Sequence, residues 1–145
     1  MKNRYMKELK YQEKIKQLDC NLSGFSEKKH IEVFRWVFEN CDENSFLPVY
    51  YYNHNREQNE KNCRGWALSF FNTQTNAKRR LLQIAMHKKK IFKKLGTHIA
   101  KGSIVENDGI SNNPNDNGHF DLFEYKGVNL SNKFTIVEIV YNGSN

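Results

Sequence analysis

The chain has 145 residues, 38% of them hydrophobic and 13% aromatic, and carries a formal charge of +7. That length suits one domain able to bury a core, with Phe, Tyr and Trp filling what few Leu and Val would leave thin. No apolar run is long enough for a membrane helix and the N-terminus lacks an apolar h-region, so neither a membrane protein nor a leader is expected.

Residues 3–20 carry Tyr11, Ile15 and Leu18 at helical spacing, with Lys and Glu on the other faces, and predict a first helix. Gly24 breaks it. Ser26 is a suitable N-cap for a second helix over 27–41, with Ile31, Phe34, Phe38 and Cys41 as its stripe. Residues 46–52 read as a strand with Pro48 near its start, and 53–62 as an exposed polar loop. Residues 65–71 form a second strand. A third, basic helix is predicted over 76–94, ended by Gly96. Residues 97–105 are a strand, 106–118 a long polar loop, and 119–126 another strand. The run Phe134 to Tyr141 is apolar on both faces except at Glu138, which predicts a strand central in its sheet. The expected fold is one α+β domain over 1–145. Its helical part is 3–41. Its mainly antiparallel sheet of about five strands lies within 46–141, with the basic helix inserted between strands two and three.

The three cysteines, Cys20, Cys41 and Cys63, match no zinc spacing and are odd in number, so free thiols and a cytoplasmic location are expected. Nothing in the sequence calls for a cofactor or a metal. His119 and Asp121 share a strand face at i, i+2, which is at most half a metal site.

Charge is segregated. Residues 61–105 hold 11 of the 23 Lys and Arg and none of the 16 Asp and Glu. This predicts a polyanionic partner, nucleic acid before an acidic protein. The expected phosphate contacts are Lys78, Arg79, Arg80, Lys88, Lys89, Lys90, Lys93, Lys94 and Lys101. Trp66, Phe70, Phe71 and Phe92 lie in the same segment and are expected in the core.

Two catalytic alternatives follow from single residues. His98 and His119, if their strands form a hairpin, would supply the base and acid of metal-independent RNA cleavage, with Lys101 or Arg64 as the cation. Glu138, set in an apolar strand, together with Ser69 and Arg64, resembles the Arg, Ser and Glu that ADP-ribosyltransferases bring from three separate strands. That resemblance implies a toxin-like enzyme that consumes a dinucleotide and depends on Glu138. The remaining reading is an inhibitor module with a basic face.

Overall fold

The computed structural model describes residues 7–88 and 90–142. The fold is α+β. Six antiparallel strands form one sheet: β1 Ile31–Val37, β2 Leu68–Phe71, β3 His98–Ile104, β4 Gly109–Ser111, β5 His119–Glu124 and β6 Thr135–Ile139, in the order β4-β5-β2-β1-β3-β6. The helices are α1 Gln12–Gln17, α2 Val49–Tyr52, α3 His54–Glu60, α4 Gln74–Ala85 and α5 Ile91–Leu95.

The N-terminal part departs from the predicted pair of helices. Only α1 is helical, and residues 3–6 lie outside the described residues. The segment read as a second helix is β1. Its β-branched Ile31, Val33 and Val37 and aromatic Phe34 and Trp36 favour a pleated strand. A run apolar on both faces satisfies helical and strand periods alike, and burial on both sides decides for the strand. The predicted strand over 46–52 is instead a 3-10 turn, Glu43–Phe46, followed by α2, which starts directly after Pro48. The polar loop over 53–62 is α3. Asn53 caps it by accepting from the Arg56 N–H, and Arg56 and Glu60 pair at 3.0 Å one turn apart.

The strand over 65–71 begins as a 3-10 turn, Cys63–Trp66, before β2. The single basic helix is two helices, α4 ending at Ala85 and α5 starting at Ile91. Gly96 ends α5 at φ +141°, and a Cβ there would press on the Val37 carbonyl and the Trp36 side chain. The 106–118 loop contains the short β4. The strand expected at the centre, β6, is an edge strand with Val137 and Ile139 exposed.

One sheet face carries Val33, Val37, Leu68, Phe70, Phe120 and Leu122, packed under Phe46, Leu130 and Phe134. The other face carries Phe34, Phe71 and Ile99 against Ala77 of α4, and Phe123 against Ile15 of α1, Tyr50 of α2 and Trp66. Leu81 and Ala85 of α4 join Phe92 of α5, whose ring stacks on Tyr141 at 4.4 Å. Cys20 and Cys63 form a disulfide with Cα atoms 5.8 Å apart, which corrects the expectation of free thiols; Cys41 alone is free. Neither sequence spacing nor the odd count could reveal a pairing between cysteines 43 positions apart. No helix among the described residues is long and apolar enough to cross a membrane.

Candidate functional site

The centre of the sheet is weakly closed. β1 pairs with β3 along its whole length, from Ile31 opposite Ile104 to Val37 opposite His98. Its ladder to β2 holds at one register pair, Phe34 opposite Phe71, and beyond it the two strands part. Arg35 reaches across the gap. Its Nη1 donates to the Ser69 carbonyl at 2.7 Å and its Nε to the Ser45 carbonyl at 2.9 Å. The guanidinium thus replaces backbone donors that the parted strands cannot supply. Phe46 and Phe70 lie 5.4 and 5.5 Å from it.

A cleft of about 950 Å³ opens where the strands separate. Arg35 of β1, Ser69 of β2 and Asp121 of β5 line it. Ser69 and Asp121 are directly opposite in the β2–β5 ladder. One wall is built from Tyr52, Arg56 and Glu60 of α2 and α3 with Asn62 and Arg64 of the following turn. The other is built from Trp36 and from Ile91, Lys93, Lys94 and Leu95 of α5. The disulfide holds Cys63, and so fixes the turn that carries Arg64.

Asp121 is 3% exposed, and its Oδ2 has no hydrogen-bond partner among the described residues. Its nearest cations are Arg64 Nε at 3.5 Å from Oδ2 and His119 Nε2 at 3.7 Å from Oδ1. Burial raises the Asp121 carboxyl above its ordinary range, against the opposing pull of His119 and Arg64. Burial likewise lowers His119, helped by Arg64 and Arg80 and opposed by Asp121. The net shift favours the neutral imidazole over the imidazolium. Burial also pushes Arg35 down to about 10, with Glu124 the main opposing charge, and it stays a cation. Among the charged lining residues, Arg35, Arg56, Arg64, Lys93 and Lys94 outnumber Glu60 and Asp121, so the cleft is electropositive.

The predicted site residues disperse. His98 is buried on β3, its Nδ1 2.6 Å from Thr97 Oγ1. His119 lies on β5, and β1 and β2 intervene between the two strands. At about 4.8 Å per strand, that separation is roughly 14 Å or more, too far for one acid–base pair. The hairpin that would have joined them forms instead between β4 and β5. Lys101 pairs with Glu32 at 3.1 Å. Glu138 pairs with Lys78 at 2.7 Å and accepts from Gln74 at 2.9 Å, so it pins α4 to β6 rather than meeting Ser69 and Arg64. Lys78 is occupied in that contact. Arg79 and Arg80 donate to Asn76 and Gln83 on the surface of α4. Lys88 and Lys90 are exposed in the link between the helices, Lys93 and Lys94 are on α5, and Lys89 lies outside the described residues. Trp66, Phe70, Phe71 and Phe92 are all buried.

Arg35 went unnoticed in the sequence because 27–41 reads as a helix; its signal is one cation inside the apolar run Val33 to Val37. No protein family, no curated protein and no solved structure matches the chain.

Proposed function

We propose that the protein is a nucleotide-dependent group-transfer enzyme of the ADP-ribosyl-transferring kind, working in the cleft between β1 and β2. One observation carries this reading: Arg35, Ser69 and Asp121, from three neighbouring strands, line a single cationic cleft. They supply the arginine, serine and acid that the sequence suggested through Arg64, Ser69 and Glu138. Asp121 has the carboxylate one methylene nearer the backbone than a glutamate would.

The substrate is a nicotinamide dinucleotide. A cleft of this volume takes a ligand of that size, and Lys93, Lys94 and the remaining N–H groups of Arg35 suit its two phosphates. Asp121, held in the cleft lining by Arg64 and His119, supplies the acid. When the bond between the ribose carbon and nicotinamide breaks, positive charge develops on the sugar, and a buried carboxylate stabilises it. The disulfide favours an oxidising compartment over the cytoplasm expected from the sequence.

The test is release of nicotinamide from the dinucleotide, with dinucleotide binding followed by thermal shift. Asp121→Asn should keep binding and lower release by about a hundredfold or more, the scale of losing one electrostatic stabiliser. Glu138→Gln should leave release unchanged. Absence of both binding and release in the wild-type protein at millimolar dinucleotide overturns the reading.

A further inference from the structure

We propose that the acceptor in this reaction is single-stranded nucleic acid, docked on a lysine strip that runs from the α4–α5 link into the cleft. The proposal rests on the transfer reading above and extends it to the second substrate. The acid-free segment is not uniformly available for a partner. Lys78 is neutralised by Glu138 and Lys101 by Glu32. Lys88, Lys90, Lys93 and Lys94 are exposed, and no ion pair engages them among the described residues. They follow one another along the link and α5, and Lys93 and Lys94 are themselves part of the cleft wall. Phe92, buried against Tyr141, fixes α5 so that the charges hold their direction. Arg80 extends the positive field to His119 from the α4 side.

Cations alone would serve an acidic protein equally well. The cleft adds aromatic surface: Trp36 and Tyr52 line it, and Tyr52 is 58% exposed. Phosphates along a lysine strip with an unpaired base turned onto aromatic rings is the recognition mode of single strands. A duplex keeps its bases stacked and cannot turn one in without unpairing it.

The step balances without any further reagent. The ribose–nicotinamide bond of the donor breaks, and its electron pair leaves with nicotinamide, which becomes neutral. A nitrogen or hydroxyl oxygen of the nucleic acid bonds to the ribose carbon. The proton it loses passes to His119, where Asp121 stabilises the imidazolium, and then to water.

The experiment uses the full chain, a dinucleotide labelled in its adenylate half, and in parallel single-stranded RNA, single-stranded DNA, duplex DNA and an acidic protein. Hydrolysis, with water as acceptor, is measured in the same tubes. Label should appear on a single strand, and Lys88→Glu/Lys90→Glu should lower that labelling about tenfold or more while hydrolysis stays as in wild type. Labelling should also fall with salt more steeply than hydrolysis does, by an additional log–log slope of about −1.4 for the two phosphate contacts at Lys88 and Lys90. Label on the protein acceptor alone, or single-strand labelling that survives the double substitution, overturns the acceptor assignment and leaves the cleft reading standing. Wild-type protein that neither hydrolyses nor transfers overturns the cleft reading, and this one with it.

Discussion

Breaking the Cys20–Cys63 bond has a calculable effect. The two cysteines are 43 positions apart, and closing a loop of that size removes chain entropy from the unfolded state worth ~4 kcal/mol at room temperature. A domain of this kind is stable by about 5–15 kcal/mol in all, so the bond supplies a large share. With a urea slope of about 2 kcal/mol per molar, Cys63→Ser should lower the unfolding midpoint by roughly 2 M. The oxidised protein treated with reductant should show the same loss. Cys41→Ser is the control and should shift the midpoint little. Burial, reinforced by Asp42, raises the Cys41 thiol, so it forms little thiolate and exchanges slowly with the bond. Equilibrium urea unfolding followed by Trp fluorescence reads all three proteins. A midpoint in Cys63→Ser within about 0.3 M of the Cys41→Ser control, which is under 1 kcal/mol at that slope, would refute the loop-closure argument.

Two further outcomes concern stability near the site. Asp121 has a raised carboxyl in the fold, so between its unfolded and folded pKa the folded state binds more protons, and stability falls as pH rises through that window. Asp121→Asn removes this penalty: thermal unfolding at neutral pH should come at the same temperature as wild type or higher, and the difference should shrink at pH values below the ordinary Asp range; a clear loss of stability at neutral pH would contradict the shift. A Cβ on Gly65 would overlap one edge of the Tyr50 ring, whose hydroxyl donates to Glu60 and accepts from the Asn62 N–H. Gly65→Ala should therefore cost about 1–3 kcal/mol by overpacking and weaken dinucleotide binding through the displaced Arg64 turn, as urea unfolding and titration would report.

What was legible in the sequence was local. The strands around 68–71, 98–104 and 119–124 stand near their predicted places, because their alternation and flanking turns are short-range signals. The 31–37 strand was hidden by apolar residues on both faces, and the 54–60 helix by a wholly polar composition. The site divides in the same way. Ser69, Arg64, His119 and Asp121 could each be singled out from their neighbours, but their company could not. Which strand lies beside which is settled by packing across the whole chain, so His98 could look like a partner for His119 and Glu138 like a partner for Ser69. Arg35 and Asp121, the residues that instead flank Ser69, are 34 positions before it and 52 after it in the sequence.

Hydrogen bonding across the middle of the sheet comes down to one rung of backbone and one guanidinium, while apolar packing spans both sides. By its ladders it is two three-stranded leaves, β4-β5-β2 and β1-β3-β6, that meet at Phe34 and Phe71. The ladders inside each leaf do not cross the gap, and the cleft opens there. Arg35 is then a latch as well as a ligand. A phosphate on its remaining N–H groups would be held by the same guanidinium that satisfies the Ser69 and Ser45 carbonyls, so one side chain serves both the sheet and its ligand.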